Sequence, residues 1–247
     1  MTTPKKAFVL AAGFGTRMRP LTDNCPKPLL EVAGQTMLDR ALDALAAVGV
    51  EEVIVNAHYL GHMIEDALKG RKTPRITVVH EDEILDTGGG VAAQLSFFGD
   101  EPFYVLNADV LWTDDAAPAL SRLADAWDGT KMDLLFLVQD VAAILGWERG
   151  GDYFVEEDKD CAAAVFQSCA EKPANTVFMG PRIVHPRLFK DAPSGTFSFL
   201  DLFHKAEAAG RLYALRHKGA WHHVGTPKDF EETNRILSAP PAKKHAM

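Results

Sequence analysis

The sequence predicts an α/β protein whose doubly wound, Rossmann-like sheet is mixed, mostly parallel and lies between layers of helices. Short apolar runs alternate with amphipathic helical patterns through the first half of the chain. These runs lack the polar alternation of a half-exposed strand, which is typical of parallel strands buried on both faces. The length of 247 residues permits one large domain of this kind or two small ones.

The predicted elements follow one another regularly as far as residue 139. The first strand covers 7–11, and a helix at 37–48 has its apolar residues on one face and ends at Gly49. The strands predicted after it are 53–55, 76–79, 103–106 and 134–138. The further helices are predicted at 60–68, at 89–97, entered through Gly88-Gly89-Gly90, and at 115–127. Strand and helix therefore alternate, and we interpret 6–139 as the core of the sheet.

The pattern loosens after residue 139. Residues 140–175 show no regular periodicity, and shorter elements follow them. These are strands near 176–184 and 212–216 and helices near 199–209 and 227–237. We predict that 140–226 is an insertion that closes over the sheet edge and supplies a second pocket. The whole would form one domain over 1–238, and residues 239–247 would be a disordered tail.

Composition excludes several classes of protein. A net charge of −8 argues against broad binding to nucleic acid, which needs a basic surface. The cysteines Cys25, Cys161 and Cys169 form no C-x-x-C pair, so neither a disulfide framework nor a zinc knuckle is indicated. No apolar stretch is long enough to span a bilayer. We expect a cytoplasmic protein without a nucleic-acid or membrane partner, either a monomer or a dimer.

The first predicted strand leads into a loop rich in glycine and cations. The loop reads Gly13-Phe14-Gly15-Thr16-Arg17-Met18-Arg19-Pro20-Leu21-Thr22, and Pro26-Lys27-Pro28 follows. Glycines let the backbone approach an anion, and backbone N–H groups can then point at its oxygens. Arg17 and Lys27 add the charge that a polyphosphate needs, whereas Arg19 fits a phosphate contact and a surface ion pair equally well. The predicted nucleotide contacts here are Ala11, Ala12, Gly13, Gly15, Thr16 and Arg17.

Two further motifs fall at carboxyl ends of predicted strands, where open α/β sheets bind ligands. Asp86-Thr87-Gly88-Gly89-Gly90 precedes a helix, and Gly88 would let a flat base or ribose come close. Asn107-Ala108-Asp109 directly follows the fourth strand, and Asn107 is a further predicted nucleotide contact. Asp109 would be an acidic group in a cationic site. This favours a carboxylate that holds Mg²⁺ with phosphate oxygens over one that caps a turn.

The loop resembles the signature of the sugar-1-phosphate nucleotidyltransferases, G-x-G-T-R-x-x-P-L-T followed by P-K-P, at each of those positions. The resemblance extends over about 6–237. It implies an enzyme that moves a nucleoside monophosphate from a nucleoside triphosphate to a sugar-1-phosphate and releases pyrophosphate. It further implies that Arg17 binds the β- and γ-phosphates, that Lys27 bridges the α-phosphate and the incoming sugar phosphate, and that Asp109 holds the catalytic metal.

Three segments of the second half are similar to those of one branch of this family, which uses UTP and N-acetylmuramate-1-phosphate. The segments are 151–154, 183–189 and 221–227. This similarity implies UDP-N-acetylmuramate as the product, a place in peptidoglycan recycling, and sugar contacts at Asp152, Gly180 and Thr226. Guanylyl, thymidylyl or uridylyl transfer to mannose- or glucose-1-phosphate stays open. So does a non-catalytic protein that binds a sugar nucleotide, although such a protein would be expected to lose Lys27 or Asp109.

One position departs from the family pattern. Relatives usually carry an Asp in the segment W-x-D-x-G-T, where it completes the metal site, and this chain has His223 there. On a strand, Trp221 and His223 would share a face and His222 would point away, so that only His223 would reach the site. Imidazole suits Mn²⁺ better than Mg²⁺. Three interpretations follow, in order of preference. Mg²⁺ is held by Asp109 and phosphates alone; or the preferred metal has changed to one that His223 can bind; or activity is lost.

Overall fold

A computed structural model describes residues 3–115, 117–144, 147–166 and 172–239. The strands are β1 (Lys6–Leu10), β2 (Glu31–Val32), β3 (Gln35–Thr36), β4 (Glu52–Ala57), β5 (Arg75–His80), β6 (Phe103–Asn107), β7 (Leu111–Thr113), β8 (Leu134–Asp140), β9 (Tyr153–Val155), β10 (Cys161–Phe166), β11 (Thr176–Val184), β12 (Leu212–Arg216) and β13 (Ala220–His222). The α-helices are α1 (Met37–Ala47), α2 (Gly61–Leu68), α3 (Asp86–Ala92), α4 (Leu95–Phe98), α5 (Ala119–Ala126), α6 (Phe199–Ala208) and α7 (Pro227–Ser238). Beyond Ala239, the predicted tail lies outside the described residues.

Nine of these strands form one mixed sheet in the order β5-β4-β1-β6-β11-β8-β12-β10-β9. The pairs β5–β4, β4–β1, β1–β6 and β8–β12 are parallel. β11 is antiparallel to both β6 and β8, and β10 is antiparallel to both β12 and β9. β10 and β11 therefore run against the other seven strands. The α/β class and the mixed sheet are confirmed.

Both faces of the sheet are buried, as the continuous apolar runs predicted. Val9 of β1 packs into a core with Leu42 of α1 and Leu123 of α5. Its neighbour Phe8 points to the opposite face and joins a second core that includes Phe203 of α6. Successive side chains of a strand alternate between faces, so an apolar residue at each position indicates helices on both sides. No described helix is long and apolar enough to cross a membrane.

The second half of the chain differs from its prediction. Residues 140–226 do not lie only at the sheet edge, because β11 pairs between β6 and β8 near the middle of the sheet. Residues 140–175 are not uniformly irregular, since β9 and β10 form the far edge. Both errors have one cause. These strands pair with partners distant in sequence, and periodicity within a segment carries no information about such a partner.

The helix predicted at 89–97 also differs. It begins earlier, at Asp86, and is divided into α3 and α4, so Gly88, Gly89 and Gly90 lie inside α3. The N–H groups of Gly88 and Gly89 both donate to the carbonyl of Phe197, at 3.0 and 3.1 Å. A Cβ on Gly89 would lie 2.2 Å from the carbonyl oxygen of Gly195. The glycines therefore let α3 pack against the segment before α6.

Gly89→Ala is expected to destabilise the protein by about 1–3 kcal/mol, the usual range for overpacking, although Ala is the better helix former. The new methyl group would overlap a backbone carbonyl, which cannot rotate away as a side chain could. Thermal unfolding measures the effect. Gly150→Ala is the matched control, because Gly150 is exposed and a Cβ there would meet nothing within 4 Å. A melting temperature for Gly89→Ala equal to or above that of the wild type would contradict this account.

Candidate active site

A cavity of about 390 Å³, here called the first cavity, lies at the carboxyl ends of β1, β4 and β6. Adjacent parallel strands of an open sheet leave such a crevice outside these ends. The loop after β1 forms one wall, and Asn56 and Asn107 lie where β4 and β6 end. The lining residues predicted from the sequence are Ala11, Ala12, Gly13, Gly15, Thr16, Arg17, Lys27, Asn107 and Asp109. The structure therefore brings together most of the predicted nucleotide contacts.

A second cavity, of about 320 Å³, adjoins the first. Its lining includes Phe178, Met179 and Gly180 of β11 and the segment 221–224. Four residues line both cavities: Arg17, Lys27, Asn107 and Asp109. The two cavities thus meet at a small group of side chains that contains two cations, an amide and a carboxylate. This is the arrangement that a reaction between two bound molecules requires.

Lys27 and Asp109 form an ion pair at the junction of the cavities. Lys27 Nζ donates to Asp109 Oδ2 at 2.6 Å, and Lys27 is only 9% exposed. Lys27 begins a short 3-10 helix, and Asp109 lies two residues after β6. The expectation that this amine and this carboxylate converge at one edge of the sheet is confirmed. Because Lys27 is nearly buried, its charge would be costly to leave without this partner.

The glycine-bearing loop is folded back over Lys27. Gly15 has φ +62° and precedes a 3-10 helix at Thr16–Met18. A Cβ at Gly15 would be strained by this φ and would lie 3.1 Å from Lys27 Cβ. Thr22 Oγ1 donates to the carbonyl of Gly15 at 2.9 Å and fixes the turn. The Arg17 side chain is exposed and makes no hydrogen bond or ion pair with any described residue, so its guanidinium is available to an anion.

Arg19 lines neither cavity and pairs instead with Asp23, at 3.4 Å on the surface. Of the two alternatives left open by the sequence, the structure favours the surface ion pair. Exposed pairs of this kind contribute little to stability. Among the described residues that line the two cavities, the lysine and arginine side chains are therefore those of Lys27 and Arg17.

Asn56 and Glu81 are site residues that the sequence analysis missed. Asn56 Oδ1 accepts from the N–H of Ala11 at 2.7 Å, and its Nδ2 donates to Glu81 Oε1, also at 2.7 Å. Glu81 Oε2 in turn accepts from the N–H of Leu85 at 3.1 Å. This chain of bonds joins the start of the loop to the opposite wall, and it occupies the Ala11 N–H. A polar residue at the end of an apolar strand was the available signal, because Asn107 shows the same pattern.

Gly88 does not make the predicted close approach to a ligand. It lines neither cavity, and the space beside it is filled by the ring of Phe197, which a Cβ would meet at 2.5 Å. Asp86 and Thr87 line the first cavity instead. The sequence suggested a ligand contact because a glycine can make room either for a ligand or for a packed aromatic ring. The residue type is the same in both cases.

Of the three predicted sugar contacts, Gly180 is the one that lines the second cavity. Gly180 has φ +116°. A Cβ on Gly180 would lie 2.9 Å from the Val110 side chain, which is too close. Asp152 and Thr226 line neither cavity. Asp152 accepts from the N–H of Phe178 at 3.0 Å, and burial raises the pKa of its carboxyl. Thr226 caps the N-terminus of α7 in a capping box with Asp229. Each of these two residues therefore makes a structural hydrogen bond, and its contact with a sugar stays a prediction.

Both His222 and His223 line the second cavity, so the prediction that only His223 reaches it is wrong. β13 ends at His222, and the alternation of a strand does not continue to the next residue. The His223 ring packs against Trp147 and Trp221, with centroids 5.9 and 5.5 Å away. Burial lowers the pKa of both histidines, and for His223 nearby cations, including Lys27, lower it further against the opposing effect of Asp229. Both rings are therefore neutral at pH 7.

The fold and this pair of cavities define a class of protein. A family model described as "Nucleotidyl transferase" matches residues 6–239, and the chain belongs to this family. A solved structure of UDP-glucose pyrophosphorylase complexed with UDP-glucose has the same fold, with a TM-score of 0.77, 20% identity and coverage of 95% of this chain and 98% of that one. The family membership predicted from the loop signature is confirmed.

Particular relatives are more similar in sequence. The N-acetylmuramate alpha-1-phosphate uridylyltransferase of Caulobacter vibrioides is 39% identical over 91% of this chain and 93% of its own length. The protein of the same name from Neisseria meningitidis serogroup B is 32% identical, over 95% of this chain and 99% of that one. The mannose-1-phosphate guanylyltransferase catalytic subunit beta of Dictyostelium discoideum is 30% identical over 91% of this chain, which spans 62% of that relative.

Proposed function

We propose that this chain is a sugar-1-phosphate uridylyltransferase that converts UTP and N-acetylmuramate α-1-phosphate into UDP-N-acetylmuramate and pyrophosphate. The observation that carries the proposal is the junction of two cavities at Arg17, Lys27, Asn107 and Asp109. A group transfer needs a donor and an acceptor whose reacting ends meet, and this junction offers such a point. The relatives of 39% and 32% identity support the choice of base and sugar.

In this proposal the first cavity binds the nucleoside triphosphate. The loop residues 11–17 surround its phosphates, and Arg17 neutralises the β- and γ-phosphates. Asn107 contacts the nucleotide at the junction. The second cavity binds the sugar phosphate, with Gly180 and the aromatic segment around Trp221 as its walls. This division follows from the position of the cationic loop, which lines the first cavity along most of its length.

The reaction proposed is an in-line displacement. A phosphate oxygen of the sugar-1-phosphate forms a bond to the α-phosphorus, and the bond from that phosphorus to the oxygen bridging to the β-phosphate breaks. The electron pair leaves with pyrophosphate. The nucleophile is already an anion, so no general base is required. Lys27 lies between the cavities, where two anions repel each other most, and catalysis consists of positioning and charge neutralisation.

The protein would supply only some of the ligands of a divalent cation at this site. Within the described residues, no three His, Cys, Asp or Glu side chains are grouped to hold a metal ion. Asp109 is 37% exposed at the junction and is the residue that would hold Mg²⁺, whose remaining ligands would be phosphate oxygens and water. When bound, the ion would neutralise charge on the triphosphate. His223, neutral and on the same cavity, is the proposed second ligand position for a softer ion such as Mn²⁺.

His223→Asp is expected to raise the ratio of turnover with Mg²⁺ to turnover with Mn²⁺ at least about threefold, because it replaces a nitrogen ligand by a hard carboxylate oxygen. Initial rates in each metal, for the wild type and the variant, measure this ratio. His222→Asp is the matched comparison on the same cavity and is expected to change the ratio less. An unchanged ratio and rate in His223→Asp would remove His223 from the metal site.

A pyrophosphate-release assay tests the proposed function. Each of the four common nucleoside triphosphates and dTTP is offered with a panel of sugar-1-phosphates, in Mg²⁺ and in Mn²⁺. Turnover confined to UTP with N-acetylmuramate α-1-phosphate is the expected result. Turnover with GTP and mannose-1-phosphate would instead favour the activity named for the Dictyostelium relative. Binding of a sugar nucleotide without any turnover would indicate a non-catalytic protein.

We further propose that residues 1–238 form one domain built on a doubly wound sheet. Residues 6–139 would form its nucleotide-binding core. Residues 140–226 would supply the sugar site, which is supported by the contribution of 178–180 and 221–224 to the second cavity. We propose that the reaction takes place in the cytoplasm, as a step of peptidoglycan recycling.

A further inference from the structure

Arg182 is the largest of the fully buried side chains among the described residues, with an exposed fraction of 2%. It lies on β11, opposite Val105 of β6 in the pairing register. No carboxylate in the described part of the chain pairs with it. Its guanidinium carbon lies 4.2 Å from the ring centroid of Phe199 and 5.6 Å from that of Phe178, and its Nε has no hydrogen-bond partner. A buried cation in this state is expensive to maintain and calls for a function.

The guanidinium binds two groups that line the second cavity. Arg182 Nη1 donates to Asn107 Oδ1 at 3.0 Å and to the carbonyl oxygen of Gly180 at 2.7 Å. Asn107 ends β6, whereas Gly180 lies in the irregular stretch of β11 between Phe178 and Arg182. One side chain therefore ties two strands together at the edge where the cavities meet.

These bonds fix the orientation of the Asn107 amide. An arginine only donates hydrogen bonds, so Asn107 must turn its oxygen toward Arg182. The Asn107 Nδ2 group then lies on the other side, where it makes no hydrogen bond to any described residue. Asn107 lines both cavities beside Asp109. Its free N–H groups are therefore donors for a phosphate oxygen, and a flipped amide would present an acceptor and repel that oxygen.

The charge of Arg182 acts in the same direction. Burial lowers the pKa of its guanidinium to about 9, which leaves it protonated at neutral pH. Since no carboxylate of the described segments neutralises it, the positive charge adds to that of Arg17 and Lys27 behind a site for two anions. In a low-dielectric interior such a charge is felt over several ångströms.

We propose that Arg182 is a positioning residue for nucleotidyl transfer, which acts by holding Asn107 with its amide N–H groups toward the reacting phosphates and by fixing the wall at Gly180. The inference rests on the function proposed above. It adds a residue that lines neither cavity and that no motif of the sequence singled out. Its consequence is that Arg182 and Asn107 work as one unit.

A double-mutant cycle tests this dependence. Asn107→Ala and Arg182→Met are each expected to lower kcat/KM at least about tenfold, within the range seen for single electrostatic donors. If Arg182 acts through Asn107, Arg182→Met in the Asn107→Ala background should lower kcat/KM by no more than about threefold. Arg182→Lys, which keeps the charge but not the fork, is expected to fall between wild type and Arg182→Met.

A second buried arginine provides the matched control. Arg216 on β12 is 9% exposed, donates to the carbonyls of Val155 and Lys159, and lines neither cavity. Arg216→Met should lower the melting temperature while leaving kcat/KM within about twofold of wild type. Melting temperatures of all variants, and titration of UTP binding by calorimetry, show whether each variant folds and still binds nucleotide.

The outcomes separate the inference from the proposed function. A wild-type enzyme inactive in the substrate panel would overturn the transferase assignment and the inference with it. An active wild type with additive effects of the two substitutions would overturn the inference alone. A loss of kcat/KM in Arg216→Met equal to that in Arg182→Met would also overturn it, because burial of an arginine would then explain both. If Arg182→Met does not fold, Arg182→Lys in the same cycle decides the question.

Discussion

Lys27→Ala should lower turnover at least a hundredfold, which corresponds to a loss of about 3 kcal/mol of transition-state stabilisation. Its ammonium group lies at the junction of the two cavities, and in the proposed reaction it offsets the repulsion between the α-phosphate and the incoming phosphate. The substitution also leaves the Asp109 carboxylate, normally 2.6 Å away, as an unbalanced negative charge facing two anions. Steady-state kinetics with saturating UTP and sugar phosphate measure the effect on kcat.

Two comparisons make the Lys27 result interpretable. Lys218→Ala removes an exposed lysine that is paired with Asp160 at 2.5 Å and lines neither cavity. This substitution should leave kcat unchanged. Lys27→Met keeps most of the apolar stem that packs beside Gly15, so it separates loss of charge from loss of packing. Near-normal turnover in Lys27→Met would show that the ammonium charge takes no part in the transfer.

Asp109→Ala should also lower turnover at least a hundredfold, for a different reason. In the proposed mechanism Asp109 is the carboxylate that would hold Mg²⁺ against the triphosphate. The variant should therefore lose the dependence of its rate on metal concentration in the range where the wild-type rate rises. Removal of Asp109 also leaves Lys27, only 9% exposed, without its partner.

Asp109→Asn and a titration of metal separate these effects. Asn retains the shape and an oxygen near Lys27 but lacks the charge, so its kcat should stay close to that of Asp109→Ala. Asp23→Ala, which breaks the surface pair with Arg19, should be neutral. If Asp109→Asn keeps both the wild-type rate and the wild-type response to Mg²⁺, the metal is held elsewhere and the assignment of Asp109 fails.

Local chemistry explains what the sequence could predict. The run Phe8-Val9-Leu10 is apolar on both faces, and that property requires two covering layers wherever the strand pairs. The cationic loop after β1 was also predictable, because its conformation is set by Gly15, which has a positive φ, and by neighbours within a few residues. The meeting of Lys27 and Asp109 followed from the rule that the carboxyl ends of parallel strands share one edge.

Prediction from the sequence was least certain where one residue type serves two purposes. Gly88 could admit a ligand or the ring of Phe197, and Thr226 could bind a sugar or cap a helix. The two alternatives for each residue differ only in which group lies next to it in the folded protein. The neighbouring sequence does not predict that group. The sequence analysis did not identify Arg182, because a lone arginine on a strand is normally interpreted as an edge or surface residue.

The amino-acid sequence by itself determined the α/β class, the family and the cationic loop, because each depends on residues that are close together in the chain. Only the tertiary structure decided that β11 lies inside the sheet, that Arg182 holds Asn107, and that Asp152 bonds the backbone of Phe178 while Thr226 caps α7. These features depend on contacts between segments far apart in sequence. Such contacts are selected by the packing of the whole core, which no local pattern encodes.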